Sequence, residues 1–422
     1  MRWEHPSKDI KGMKSSRLKD KEVILAVTSS AAIYKAIDLA RELMRHGAEV
    51  HVIMSPEAKK LISPDMFYWA TGNPVITELS GAIEHIMITQ KPENKVIVVA
   101  PATANSIVKI AMGIADNALL TTVLSGMGLN IPVIIVPAMH LSLWNASQVQ
   151  ESVSKLIRKG IVIVNPVSEE GKAKFPSVEE IVEYVFKAVS KKPLKGKKVL
   201  VTGGATKIFI DRIRFISNPS SGKMGLALAL EAWIRGAETT VIIAKDSLKY
   251  AILPREITVK TFETYDEAKE LILKHIDSVD VFLHAAAISD FKPRSTYEGK
   301  IESEHALRLE LVPTEKIIEL ARDRNRNAIF VAFKAEWRLS KERLIEAGRE
   351  YLNKGIADIV AVNDVSKGIF GSDNTEVVLV SREEKREIVM ELKGSKREVA
   401  GHILDYVSKI LEHRDNVERE SS

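Results

Sequence analysis

Residues 22–56 read EVILAVTSSAAIYKAIDLARELMRHGAEVHVIMSP. An apolar run of strand length comes first, then a turn of small hydroxyl residues, then apolar positions at helical spacing. Gly47 ends that helix and a second apolar run follows. Strand, turn, helix, glycine and strand in this order form the repeating unit of a parallel α/β sheet. The plan recurs at KKVLVTGGAT (197–206), continued after an inserted loop by SSGKMGLALALEAWIRGAETTVIIA (220–244). Further buried-strand runs are KVIVVAPA (95–102), IPVIIVPA (131–138), GIVIVNP (160–166), VDVFLHAAA (279–287), NAIFVAF (327–333) and ADIVAVND (357–364). Runs so rich in Val and Ile need cover on both faces, so the sequence predicts an α/β fold of two doubly wound domains with mainly parallel sheets. The basic stretch KAVSKKPLKGKK (187–198), with Pro193 and Gly196, reads as the junction, giving expected domains over 1–190 and 191–422.

Composition narrows the function classes. A chain of 422 residues is too long for one core, which agrees with two domains. No apolar run approaches the roughly 18 residues that span a bilayer. The start, MRWEHPSKDIKGMKSS, carries charges without an apolar signal core, so a cytoplasmic, non-membrane protein is expected. The absence of cysteine excludes disulfides, thiolate nucleophiles and Cys-ligated metals. A net charge of +5, spread among acids, suits phosphorylated small molecules and gives no case for nucleic acid.

Ligands of open α/β sheets bind at the carboxyl ends of strands, where helix N-termini present free N–H groups. Four loops of the first half fall there. VTSSAAIYK (27–35) offers Ser29 and Ser30 to a phosphate, and MSPEA (54–58) offers Ser55. APATANSIVKIAMGIADN (100–117) brings Pro101, Ala102, Thr103 and Asn105, and PAMHLSLW (137–144) brings Met139 and His140. Small residues on adjacent loops leave room for a flat ring. The lack of G-x-G-x-x-G argues against a dinucleotide fold of the usual kind. His85, in GAIEHIMI (81–88), reads equally as a partly buried histidine or as a functional one.

In the second half, GGATKIFIDRIRFISNPSSGKMG (203–225) fails the Walker A pattern, because Met224 stands where Ser or Thr is required. It remains a glycine- and serine-rich entry to a helix, able to wrap an anion with Ser221, Gly222, Lys223, Arg212 and Arg214 nearby. HAAAISDFKP (284–293) ends a buried strand with small residues and Asp290, and Lys300 follows ten positions later in GKIES (299–303). A carboxylate and a lysine so placed can hold a metal–triphosphate. Phe333 in VAFKAEW (331–337) can support a base, and NDVSKGIFGSDNTEVVLV (363–380) reads as a loop over a cleft followed by an edge strand.

VTSSAAIYK, the EHI at 84–86, IVKIAMGIADN and PAMHLSLW occur in the order found in flavin-dependent cysteine decarboxylases, which the first half resembles. The resemblance implies FMN bound between subunits of a trimer, His85 as base, and a substrate-carboxylate contact from the loop of Met139 and His140. The sequence departs from that family in three places. Its usual Thr-Gly-Ser turn reads Thr28-Ser29-Ser30, its carboxylate-binding Asn is His140, and the flap VSEEGKAKFPSVEE (167–180) lacks the proton-donating cysteine. Lys172, Lys174 or His140 is left as the acid.

ISNPSSGKMG, AAAISDFKP, GKI, VAFKAE and VNDVS…IFGSDN resemble phosphopantothenate–cysteine ligases, and the whole chain resembles the bifunctional decarboxylase–ligases of coenzyme A biosynthesis. That resemblance implies activation of 4′-phosphopantothenate by CTP (ATP in eukaryotes) with Mg2+, then displacement of the nucleotide by cysteine. It assigns Asn218 to the acyl-nucleotide carbonyl and Lys300 to the α-phosphate. Ala285, Ala286, Asp290, Phe333 and Lys354 are assigned to the nucleotide, with Asp290 also the candidate metal contact. The product, 4′-phosphopantothenoylcysteine, is then the substrate of the first half, and trimers and dimers together allow a dodecamer. Two other readings stand beside this one: an active ligase fused to a catalytically altered FMN-binding domain, and an NAD-dependent reductase using VTGGAT.

Overall fold

The structure, a computed structural model, describes residues 4–302, 307–368, 371–383 and 386–420. Ser303 of the GKIES run and Ile369 and Phe370 of the 363–380 run lie outside them. The chain divides into two compact units, Met1–Ser190 and Lys191–Ser422.

The N-terminal unit holds a five-stranded sheet of β1 (Glu22–Val27), β2 (Glu49–Met54), β3 (Lys95–Ala102), β4 (Val133–Pro137) and β5 (Val162–Ile163). The spatial order is β2-β1-β3-β4-β5, and every pairing is parallel. Ile24, Ala26, Ile97, Val99 and Ile135 pack into one core with Ile107, Leu119 and Leu156 of the helices. The alternate residues Val23, Leu25, Val96, Val98 and Ile134 are equally buried, which is why these strands read as unbroken apolar runs. The order turns at β1 and β3, the crevice where such folds bind ligands.

The C-terminal unit is built on eight strands: β6 (Lys198–Gly203), β7 (Glu238–Ala244), β8 (Thr258–Phe262), β9 (Val281–His284), β10 (Ile329–Glu336), β11 (Ile359–Asp364), β12 (Asn374–Glu383) and β13 (Arg386–Ser395). Their order is β8-β7-β6-β9-β10-β11-β12-β13, parallel as far as β11 and antiparallel beyond. The sequence expectation of an edge strand ending at 380 is corrected here: β12 is internal and β13 is the edge. β13 alternates exposed and half-buried residues, and its exposed Arg386, Glu387, Glu391 and Lys393 guard the open side.

Two glycines set the helix that follows β6. A Cβ on Gly225 would meet Gly203 Cα at 2.7 Å and Thr202 O at 2.9 Å. Helix Lys223–Ile234 therefore lies directly on β6, with its N-terminus over the strand's carboxyl end. Among the described residues no helix is long and apolar enough to cross a membrane.

Candidate functional site

In the N-terminal unit, three loops at the carboxyl edge are cross-locked by hydroxyls. Thr28 Oγ1 donates to Pro101 O at 2.7 Å and accepts the Thr103 N–H at 3.1 Å, joining the ends of β1 and β3. Ser30 Oγ donates to Ala138 O at 2.9 Å and accepts the Ala32 N–H at 3.4 Å, joining the loops after β1 and β4. Thr103 caps helix Ala104–Met112, accepting the Ser106 N–H at 3.3 Å. The result is a cavity of about 780 Å³ that brings together Ser29, Ser30, Thr103, Asn105, Met139 and His140. Ala31, Ala32, Ala104 and Ala138 give it flat, open walls. A cavity of this volume, apolar-walled and rimmed by hydroxyls, fits a flavin ring and its phosphate.

His140 caps the short helix Leu141–Trp144. Its Nδ1 accepts the Ser142 N–H at 3.4 Å and lies 2.9 Å from Ser142 Oγ. With Nδ1 engaged as acceptor, the neutral ring carries its proton on Nε2, which faces the turn at Gly171. The 167–180 stretch is a hairpin of Val167–Glu169 and Lys172–Lys174, and Met139–His140 pairs with it as a third strand, His140 opposite Lys172. Lys174 bonds Glu169 and Glu170 at 2.9 Å each, and these carboxylates raise its pKa. Lys174 thus gives up its proton less readily than an ordinary lysine. Lys172, Ala173 and Lys174 line the cavity from this hairpin, and Phe175 lines it just beyond.

Other expected residues lie elsewhere. Pro101 and Ala102 are buried within β3 and meet the cavity only through the backbone lock just described. Ser55 caps the turn at Ala58, accepting its N–H at 3.2 Å, and does not line the cavity. His85 sits in helix Glu84–Thr89, which packs on helix Ala118–Gly128, so this chain does not carry it to the cavity. Its Nδ1 is buried and has no hydrogen-bond partner among the described residues.

The C-terminal unit has a tighter cavity, about 130 Å³, at the carboxyl ends of its central strands. Ser221, Gly222, Lys223, Ala285, Ala286 and Phe333 line it, as the sequence led one to expect. The alanine loop is fixed by backbone bonds from Ala285 to Thr202 O at 3.2 Å and from Ala287 to Gly204 O at 2.8 Å. Beneath it Thr202 Oγ1 lies 2.9 Å from Nδ1 of the buried His284, whose pKa burial pushes down to about 4. Asn218 lines an adjoining cleft of about 240 Å³. Its Nδ2 donates to Ala287 O at 3.4 Å, and Ser220 belongs to both spaces, so Asn218 stands at their boundary.

Four expected ligands are not brought to this cavity. Arg214 donates to Asp211 at 2.6 Å and to Ile301 O at 3.1 Å. Asp211, overlooked in the sequence, collects the N–H groups of Ile213, Arg214 and Ile301, which hold its carboxyl well below the usual range. Its Asp-x-x-Arg spacing was the available signal for a side chain bonding its own turn. Asp290 pairs with Lys316 at 2.5 Å, Lys300 is exposed, and Lys354 caps the end of helix Lys341–Asn353 in solvent. Among the described residues no three His, Asp or Glu side chains gather as a metal site. Asn363, Thr375 and Lys396, which the sequence did not single out, do line the cavity.

Residues 11–190 match the family model described as Flavoprotein, and residues 194–411 match that of the DNA/pantothenate metabolism flavoprotein C-terminal domain. Over 409 residues, 96% of this chain and 100% of the relative, the sequence is 44% identical to the coenzyme A biosynthesis bifunctional protein CoaBC of Thermococcus kodakarensis. It is 40% identical over 412 residues to that of Methanocaldococcus jannaschii, covering 96% of this chain and 98% of the relative. A crystal structure of the C-terminal domain of a CoaBC protein, 27% identical, covers 53% of this chain and 100% of its own, with a TM-score of 0.43.

Proposed function

The chain belongs to the family of coenzyme A biosynthesis bifunctional proteins CoaBC, and on that premise we propose how its two units divide the work. It is a bifunctional enzyme with a flavoprotein decarboxylase domain and a ligase domain. Residues 1–190 are assigned the decarboxylation of 4′-phosphopantothenoylcysteine to 4′-phosphopantetheine with FMN. Residues 191–422 are assigned the coupling of 4′-phosphopantothenate to cysteine with CTP and Mg2+. The observation that carries the first assignment is the locking of three loops around one flavin-sized cavity by Thr28 and Ser30.

Ser29, Ser30, Thr103 and Asn105 would hold FMN, which supplies an acceptor for the thiol's electrons and returns them after CO2 leaves. His140 presents Nε2–H to the substrate carboxylate and is the candidate acid for the final protonation. His85, set away from this cavity, acts in that reading from a second copy, as a trimer would allow. In the ligase, Lys223 and the N–H groups of the helix it begins face the phosphates. Asn218 holds the carbonyl of the acyl-nucleotide, whose attack by the cysteine amine releases CMP. Lys300 and Asp290, with Mg2+ carried by the nucleotide, would have to approach on substrate binding. Cytoplasmic chemistry and an assembly of trimers and dimers complete the proposal.

The test uses the full-length, FMN-loaded protein. With 4′-phosphopantothenate, cysteine and CTP, pyrophosphate and CMP are expected in equal amounts. With 4′-phosphopantothenoylcysteine, CO2 is expected. Absence of pyrophosphate refutes the ligase assignment. Pyrophosphate without CO2 would leave the second reading, an altered FMN-binding domain, which the family matches do not favour. The reductase reading finds no support in the family of either unit.

A further inference from the structure

The last helix begins at Lys396, and this lysine is only 9% exposed. It lines the smaller cavity opposite Lys223, at the foot of β12 and β13. Its ammonium donates to Ser372 O, and its backbone N–H donates to Asp373 O at 2.8 Å. Lys223 holds the same short stretch, donating to Gly371 O at 2.9 Å and to Asp373 at 2.6 Å. Two lysines that begin two helices thus grip residues 371–373 from either side.

Charge gives this arrangement its meaning. Among the described residues the cavity wall carries two lysines and no carboxylate. Desolvation first, and then the neighbouring Lys223, disfavour the Lys396 ammonium. Asp373, paired with Lys223 at 2.6 Å, offsets part of this from outside the cavity lining, and an anion entering the cavity would offset the rest. The other wall residues among those described are uncharged, leaving the lysines as the groups able to neutralise one. At about 130 Å³ the space is below that of whole-ligand pockets and suits one anionic group of a larger substrate.

We propose that Lys396 is a phosphate-binding residue of the ligase cavity, closing with Lys223 on a phosphate group of a substrate. The proposal rests on the ligase reading above. Both the nucleotide and 4′-phosphopantothenate carry such a group, and the chemistry that recognises it is shared: charge-assisted hydrogen bonds from ammonium to phosphate oxygen. Binding transfers the two ammonium groups from residues 371–373 to the ligand.

The experiment compares wild type, Lys396→Met and Lys396→Arg as full-length proteins, following pyrophosphate release. For Lys396→Met, KM for one phosphate-bearing substrate rises by about tenfold or more, the loss of one charge-assisted bond. KM for cysteine stays within about twofold, and Lys396→Arg recovers most of the loss because it keeps the charge. A rise confined to CTP places the nucleotide's phosphates there; a rise confined to 4′-phosphopantothenate places its phosphate there. Unchanged KM for both, in a Met variant that melts like wild type, overturns the proposal. Should that variant not fold, reductive methylation of wild-type Lys396, mapped by mass, decides: CTP or 4′-phosphopantothenate slows it, and protection by neither overturns the proposal. Wild type that releases no pyrophosphate sinks the ligase reading instead, and protection of Lys396 by inorganic tripolyphosphate then judges this site alone.

Discussion

In the N-terminal unit, the hydroxyls of Thr28 and Ser30 lock three loops by their backbones around about 780 Å³, whereas in the C-terminal unit glycines and lysines crowd a space of about 130 Å³. Both lie at the carboxyl ends of parallel strands, in the second unit within a mixed sheet. The first takes its walls mainly from loops that directly follow neighbouring strands. The second joins a helix start at Lys223 to a strand at Thr375 and a helix start at Lys396. Shape is therefore preset in the first unit by local capping, and in the second by close backbone approach and long-range charge. A substitution that removes a polar group should act on chemistry in both units, whereas a methyl added at the glycines around the cavity tests the second, where Gly203, Gly222 and Gly225 have close neighbours.

The largest effect expected is at Asn218. If it holds the carbonyl that gains negative charge, Asn218→Ala lowers pyrophosphate release by about 10²–10³, as loss of an oxyanion donor does. CO2 release from supplied 4′-phosphopantothenoylcysteine should not change. Assaying both reactions on one preparation checks this, and equal losses in the two would break the proposed independence of the cavities.

Motifs that sit on a strand end and the helix after it were legible in the sequence. Ser29, Ser30, Thr103, Ser221 and Lys223 are of this kind, because a strand–turn–helix places its turn at the sheet edge whatever surrounds it. Residues whose role depends on what packs opposite were not. Arg214 looked like a phosphate ligand but is spent on Asp211, Asp290 on Lys316, and Lys396 stood in an unremarkable G-S-K-R run. His85 shows the same limit: its helix is local, but its destination is not.

Next in size is a pH effect confined to the second unit's core. His284 stays neutral in the folded chain down to about pH 4, whereas an unfolded histidine takes its proton near 6.5. Between these values the unfolded state binds more protons, so stability is complete above about pH 6.5 and falls as pH drops toward 4, by on the order of 3 kcal/mol. His46 and His51 of the first unit are also pushed down by burial, so the control is His284→Gln. Urea denaturation should show a flatter pH dependence for the variant, and an identical slope would contradict the assignment. Smaller again is Gly225→Ala. Its new methyl meets backbone on β6, which cannot step aside, so a loss of about 1–3 kcal/mol is expected. The C-terminal unit's unfolding midpoint should drop while flavin absorbance stays bound to the protein.

The smallest effects concern the acid that replaces the missing flap cysteine, and they separate two residues of one small sheet. His140 lines the cavity and keeps Nδ1 tied to Ser142, which leaves Nε2, beside the turn at Gly171, as the nitrogen from which a proton can be given. Lys174 is held by two carboxylates that make its proton harder to lose. His140→Asn preserves a donor to the substrate carboxylate, so KM should hold within about twofold while kcat for CO2-coupled turnover falls about tenfold. That is less than a general acid usually contributes, because Lys172 faces the same cavity and partly substitutes. Lys174 lines the same cavity, but its ammonium is engaged by Glu169 and Glu170, so Lys174→Gln should change kcat by less than about twofold. Steady-state rates of 4′-phosphopantetheine formation measure both. Were the order reversed, with Lys174→Gln the slower enzyme, the carboxylates around Lys174 would have to release it during turnover, and the hairpin rather than the His140 loop would be the source of the proton.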